Sequence, residues 1–321
     1  MSEGVAVPNE DAPLSLIPER PASNMVFRPA PCRTRWEGVA VTFWLVLIDL
    51  LLLIWMWRRP IDWMKFGLLV LMVLSVPIIL HLAYRTWAAF TLDYWVDRNS
   101  ITVSWANSRQ VIPLASVRRM IRRGVDSLGS SGILEWPAPY LGGSGRALGL
   151  LNIMMLATRP LPDCILLETG DAIYALSPGD EEAFLAAIQV RHKLRPVSNV
   201  DAVAVRSSLW HRTVGADPIG SALFAAGLVG VLILFGVLML GFQNLPDALA
   251  FHYNAQGQPD VVREKQALFL LPFIGLLAWI VNGAWGLWMA ALGQRPGAYM
   301  LWGGAIIVQI FSFLALHSLM F

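Results

Sequence analysis

Asp247, His252 and Asp260 stand close together in the stretch LPDALAFHYNAQGQPD, residues 245–260. Two carboxylates and an imidazole are donors a divalent cation can use, although one histidine with carboxylates is a loose signature. The same stretch holds Pro246, Asn254, Gly257 and Pro259, residue types that build turns. Three chemistries are open. The loop could hold a metal for a membrane-bound hydrolase, or offer a receptor-like surface to a peptide or partner. It could also be an ordered cap whose polar side chains satisfy its own backbone.

A second set is basic. Arg118, Arg119, Arg122 and Arg123 crowd the run RRMIRR, 118–123. On a strand, Arg118 and Arg122 share one face, and Arg119 and Arg123 the other. Beside an anionic leaflet each charge could gain about 1 kcal/mol. The readings are anionic lipid headgroups or an acidic partner, against a solvated strand end. Trp136 and Tyr140 in EWPAPYLGG (135–143) suit contact with a partner or the membrane interface. GGSGR (142–146) has the glycines of a phosphate loop, but lacks the Lys-Ser/Thr ending, and no helix pattern follows it.

A third set lies in apolar surroundings. Asp49 falls near the middle of a long apolar run, where an ionised carboxylate costs about 2.5–3.5 kcal/mol on insertion scales. Ser75, Asn282 and Gln309 fall at comparable depths of other apolar runs. Together they would form a hydrogen-bond lock between helices, or part of an ion path. Transporters usually show more ionisable groups and interrupted helices.

These residues need elements to position them. The chain has 321 residues, 56% hydrophobic and 14% charged, where soluble proteins carry about 25% charged residues. A bilayer-crossing helix needs about 20 mostly apolar residues. Five runs qualify: 38–57, 66–84, 218–242, 267–292 and 297–319. The first two make a transmembrane hairpin (38–85), and the last three make a transmembrane region (218–321) carrying the polar loop 243–266. Gly283, Gly286, Gly303 and Gly304 offer surfaces for close helix contact. Residues 1–37 are rich in proline and polar groups and read as a disordered tail, with no signal peptide expected. Cys32 and Cys164 lie in different segments and are expected to stay reduced.

Lys and Arg near the membrane favour the cytoplasmic side. An inside N-terminus places Arg28, Arg33, Arg35, Arg85, Arg206, Arg212 and Arg295 there, against Arg58, Arg59, Lys65, Arg263 and Lys265 outside. Residues 85–217 are then cytoplasmic and loop 243–266 lies outside.

Residues 90–193 read as a soluble domain, followed by a linker, 194–217. FTLDYWVD (90–97) and SITVSW (100–105) alternate as strands. RQVIPLASVRRMI gives a strand broken at Pro113, then another. A glycine-rich loop spans 124–149. LLNIMMLA and CILLET are strands, with a hairpin turn at Gly170-Asp171. SPGDEEAFLAAIQVRHK (177–193) reads as a helix capped by Ser177. Roughly seven strands and a C-terminal helix is the layout of a pleckstrin-homology-like barrel.

YWVDRNSITVSW, IPLASVRRM and ILLETGDAIYALSPGDEEAFLAAI resemble the bacterial PH-domain family. That resemblance implies a fold and a binding or scaffolding role, but no reaction. Leu245-Pro246, His252, Asn254, Gly257, Pro259, Asp260, Lys265 and Leu271-Pro272 resemble a family of unknown function found in membrane proteins of the SdpI type. The expected fold class is a five-span, 2+3 helical membrane protein with an inserted PH-like β-barrel plus C-terminal helix. No nucleophile–base pair and no cofactor fingerprint is found, so no enzyme activity and no cofactor is expected. With a net charge of +2, nucleic acid is not an expected partner; membrane lipids and other membrane protein subunits are. The expected function is a bacterial inner-membrane interaction or scaffold protein, as an accessory subunit or a sensor. The alternatives are a small-solute or ion transporter built on Asp49 and, last, the metal-dependent hydrolase.

Overall fold

The computed structural model describes residues 25–122, 136–148, 151–194, 203–206, 217–256 and 258–320. The chain divides into two compact units. One comprises the residues up to Thr34 together with Ala88–Val205; the other comprises Arg35–Trp87 and Arg206–Phe321.

The first unit holds two five-stranded sheets. In one, β1 (Met25–Phe27), β2 (Asp93–Val96), β3 (Ser100–Trp105), β4 (Ser108–Pro113) and β10 (Val203–Arg206) lie side by side in that order. In the other the order is β5 (Arg119–Arg122), β8 (Ile165–Glu168), β9 (Ala172–Leu176), β7 (Leu151–Ala157) and β6 (Tyr140–Leu148). Tyr94, Val96, Ile101, Val103 and Ile112 alternate inward from the first sheet, and Leu156, Ile165, Leu167 and Leu176 from the second. Helix α3 (Glu181–Leu194) adds Phe184, Leu185 and Ile188 to this core. The second sheet is apolar on its other face as well, through Ile153, Met155, Leu166, Ile173 and Ala175.

Several expectations are corrected. Among the described residues the sheets do not close into a barrel. The first is instead extended at its edges by β1 and β10, from segments read as tail and linker. The tail joins the fold from Met25 because three apolar residues meet the open edge of β2, with Phe27 opposite Tyr94. The strand expected from residue 90 starts at Asp93, because the preceding helix continues to Thr91. There the Thr91 hydroxyl accepts the Ala106 amide at 2.7 Å. Part of the glycine-rich loop is strand β6, antiparallel to β7 with an irregularity between Gly143 and Ala147. GGSGR therefore lies in a strand and not in a phosphate loop. Asp180, not Ser177, caps α3, its carboxylate accepting the Ala183 amide at 2.9 Å. The turn at Gly170-Asp171 is as expected, closed by the Thr169 amide on the Ala172 carbonyl.

The second unit holds five helices long and apolar enough to cross a membrane. They are α1 (Thr34–Arg58), α2 (Trp63–Thr91, whose last residues belong to the first unit), α4 (Pro218–Gly241), α5 (Leu270–Ala291) and α6 (Arg295–Met320). Each contains most or all of one expected span. α4, α5 and α6 pack on one another, and Phe66 of α2 packs onto Val231, Phe235 and Met239 of α4. The most apolar stretch of α1 has no buried residue, which suits a lipid-facing helix. Between α4 and α5, β11 (Ala248–Tyr253) and β12 (Pro259–Glu264) form a two-stranded hairpin.

Candidate functional site

The β11–β12 hairpin follows from its sequence. A short 3-10 turn over Phe242–Asn244 ends α4, and Pro246 prevents the helix from continuing. Pro259 opens β12, where a missing N–H is tolerated. A two-stranded hairpin is marginal alone and needs a packed face. Leu245, Leu249 and Phe251 supply one, against a cluster that includes Leu238, Phe242, Leu268 and Leu316.

The polar residues then pair among themselves. At the base, Lys265 Nζ lies 3.0 Å from Asp247 Oδ1. It donates to the Leu245 carbonyl at 3.3 Å and sits 5.2 Å from the centre of the Phe242 ring. In the middle, His252 Nδ1 is 2.7 Å from Asp260 Oδ1. The β11–β12 register shifts on either side of His252; such irregularities re-aim a side chain. At the tip, Asn254 Oδ1 accepts the amides of Gln256 and Gln258 at 3.0 and 2.8 Å, and the Asn254 amide donates to the Gln258 carbonyl. Gly257 lies outside the described residues. Asp247 belongs to Lys265, while His252 and Asp260 belong to each other, so the three candidate metal donors do not converge. Among the described residues no group of three His, Cys, Asp or Glu forms a metal cluster. The geometry is that of an ordered cap.

Arg119 and Arg122 sit on β5, an edge strand among the described residues, and Arg118 immediately precedes it. Arg118, Arg119 and Arg122 are exposed, and Arg123 lies outside the described residues. Met120 and Ile121 turn to opposite faces of the sheet, which fixes the alternation. The Arg118 amide donates to the Glu168 carbonyl, its guanidinium lies beside Gly170, and Arg119 stands opposite Glu168. Trp136 precedes β6, which Tyr140 begins, at the far side of the same sheet. Three strands intervene, roughly 19 Å at the usual strand spacing. The arginines and the two aromatics are therefore two surfaces, not one.

The intramembrane polar residues also separate. Ser75 Oγ lies 2.5 Å from Asp49 Oδ2 and 2.7 Å from the Met72 carbonyl oxygen, joining α1 to α2. Gln309 on α6 is buried and donates to the Gly227 carbonyl of α4 at 2.8 Å. Asn282, half-buried on α5, belongs to neither bond. Asp49 and Gln309 act as separate interhelical locks, and the single polar path that transport would need is not assembled by these bonds.

Two further locks join the helices. Trp279 and Trp302 donate their indole N–H groups to the carbonyls of Phe224 and Gly283. Asp217 caps α4, accepting the Ile219 and Gly220 amides at 3.1 Å and the Tyr299 hydroxyl at 2.5 Å. The Tyr299 hydroxyl, helped by the Gly220 amide, holds the Asp217 carboxyl below the usual carboxylate range. Asp followed by Pro at the head of an apolar run was the signal for this cap. Gly303 and Gly304, by contrast, meet no side chain within 4 Å.

In the first unit, burial raises the Tyr94 phenol above its ordinary range and pushes the Cys164 thiol up to about 12, so Cys164 is an inert core residue. Cys32 Sγ is 2.6 Å from the Thr34 hydroxyl, at the start of α1. No curated protein and no solved structure matches the chain. Residues 92–192 match the family model of the bacterial PH domain, and residues 229–276, spanning the second half of α4, the hairpin and the start of α5, match that of a domain of unknown function (DUF1648) found in SdpI-like membrane proteins.

Proposed function

We propose that the protein is a non-enzymatic interaction module of a bacterial inner membrane, serving as an accessory subunit of a larger membrane assembly. One observation carries this reading: every chain connection between the PH-like unit and the membrane helices runs through a strand of the same sheet. β1 ends seven residues before α1 starts, α2 is separated from β2 by Leu92 alone, and β10 leads toward α4. A soluble domain tied at three points suits presentation of a surface at the membrane better than diffusion to a substrate.

The proposed topology draws on β1 and β2. Their pairing supports a reading in which residues 25–27 share the domain's side of the membrane and α1 and α2 cross as a hairpin. Three crossings after the domain would complete a 2+3 arrangement, with the β11–β12 cap on the opposite side. The clustering of Arg28, Arg33, Arg35, Arg85, Arg206, Arg212 and Arg295 favours the cytoplasm for the domain. The exposed Arg118, Arg119 and Arg122 then offer an edge to anionic lipids or to an acidic face of a subunit.

Purification in mild detergent at native expression levels tests the reading. A stoichiometric membrane partner is expected, and it should be lost from the triple variant R118E/R119E/R122E. A lone monomer in wild-type preparations, with cross-linking before extraction giving the same answer, sinks it.

A further inference from the structure

β1 is only three residues long, yet the segment around it is held by bonds from four directions. Its residues pair with β2, Met25 with Val96, Val26 with Trp95 and Phe27 with Tyr94. The Phe27 ring meets the Phe184 ring of α3 edge-on at 5.3 Å. The Gly179 amide donates to the Arg28 carbonyl at 2.9 Å, and Pro29 bridges Pro178. The Ala30 amide donates to the Ser177 carbonyl at 2.7 Å, and the Thr158 hydroxyl to the Ala30 carbonyl at 2.8 Å. Ser177 is itself fixed, its hydroxyl accepting the Thr158 amide and its amide donating to the buried Tyr94 hydroxyl.

We propose that the groove between β2 and α3 is a strand-addition site for an extended segment bearing a bulky apolar residue two places before a proline, and that Met25–Ala30 fills it in cis. The groove has the parts such a site requires: a strand edge that β1 covers, a pocket for alternate side chains and a clasp at the end. Nearly every polar bond to the segment uses its main chain, so the site reads backbone with little sequence demand. Phe27 supplies the apolar anchor. Pro29 costs nothing, because the neighbouring Arg28 and Ala30 main-chain groups make the bonds. The segment lies against Gly179, where a Cβ would stand 3.4 Å from the Arg28 carbonyl and 3.5 Å from that of Pro29, in ordinary van der Waals contact.

The occupant is held weakly enough to exchange. Met25 and Val26 remain 53% and 47% exposed and Arg28 is exposed too, so burial is confined to Phe27, Pro29 and Ala30. Edge segments with few buried contacts open at far lower free energy than the core they cover. A competing strand would have to overcome the advantage of the tethered copy. Its entry would release the segment that leads into α1. This deepens the reading of the domain as an interaction module by naming the surface and the shape of its ligand.

Hydrogen exchange on the full chain in detergent, combined with a fluorescent peptide of residues 24–31, tests the proposal. In wild type, the β2 amides facing β1 should exchange at least tenfold faster than the β3 amides. Phe27→Asp should speed them a further tenfold with β3 unchanged, and should bind the peptide at least tenfold more tightly than wild type does. If wild-type β2 edge amides exchange no faster than those of β3, the segment opens only with the whole domain and the proposal fails. It fails equally if Phe27→Asp keeps β3 protected and neither protein binds the peptide. Should Phe27→Asp lose β3 protection, the wild-type comparison decides alone. Failure on any of these arms leaves co-purification of a membrane partner untouched.

Discussion

Gly286 and Gly303 both lie on packed membrane helices, but only one has a neighbour. A Cβ on Gly286 would fall on the indole of Trp302, which is 2% exposed and tied to the Gly283 carbonyl. A rigid, fully packed ring cannot step aside, so Gly286→Ala should destabilise the bundle by about 1–3 kcal/mol, the usual cost of overpacking. Gly303→Ala meets open space and should change stability by less than about 0.5 kcal/mol. Thermal unfolding of both variants in one detergent checks the pair; equal midpoints would refute the packing described. Asp217 gives a pH test. Its carboxyl is lowered from an ordinary 3.8 by the Tyr299 hydroxyl and the Gly220 amide. A lowered carboxyl adds stability above its unfolded value and loses it as pH falls through the folded one. Wild type should therefore shed this contribution only below about pH 4. Asp217→Asn should be less stable at pH 7 and flatter in that acid range, as read by unfolding midpoints from pH 2 to 7.

At the scale of elements, the β11–β12 hairpin illustrates what a sequence can and cannot announce. Pro246, Asn254, Pro259 and Asp260 mark a turn by type and order, because each solves a local backbone problem. Pairings are less visible. Nothing local says that Asp247 goes to Lys265 and not to His252, since the choice follows from a strand register fixed by Leu249 and Phe251 packing beneath. The five spans and α3 were legible for the opposite reason: twenty apolar residues or a 3.6 period are properties of one segment. β6 was hidden, because YLGGSGRAL is written in glycine and is a strand only beside β7. β1 was hidden because three residues need the distant edge of β2. The polar depth of Gln309 was legible, but its partner, a main-chain carbonyl on α4, was not. The tip of the hairpin can be tested. Asn254 accepts both amides there, so Asn254→Ala should cost about 1 kcal/mol locally and increase protease nicking between residues 248 and 264 several-fold. The packed helices should keep their unfolding midpoint. An unchanged nicking rate would mean that the tip is held by something other than Asn254.

At the scale of the whole molecule, a single strand pairing bears on the proposed path through the bilayer. α1 leaves from residues that pair with β2, and α2 returns to β2 itself. With that sheet on one side of the bilayer, α1 and α2 would cross as a pair, as the proposed 2+3 arrangement has it. The pair would stand even where the charge rule is weak, as in the loop RRPIDWMK. There Asp62 takes up the Lys65 amide, Arg59 pairs with Asp62 and stacks on Trp55, and Lys65 binds the Arg59 carbonyl. In the proposed orientation this loop lies outside, and its internal pairing offsets part of its charge there. Single cysteines at Val26, Asp171 and Gln256, placed in a Cys32→Ser background, separate the cases. Cys164 adds no signal, since it is 1% exposed and its thiol is pushed up to about 12. An impermeant maleimide should label Gln256→Cys on intact cells, and should reach Val26→Cys and Asp171→Cys only after lysis. Val26→Cys and Asp171→Cys must behave alike whichever way the protein is inserted, because strand pairing ties them together. Labelling that divides those two would break the β1–β2 pairing itself. Labelling that reverses all three would keep the fold and turn the domain to the other side.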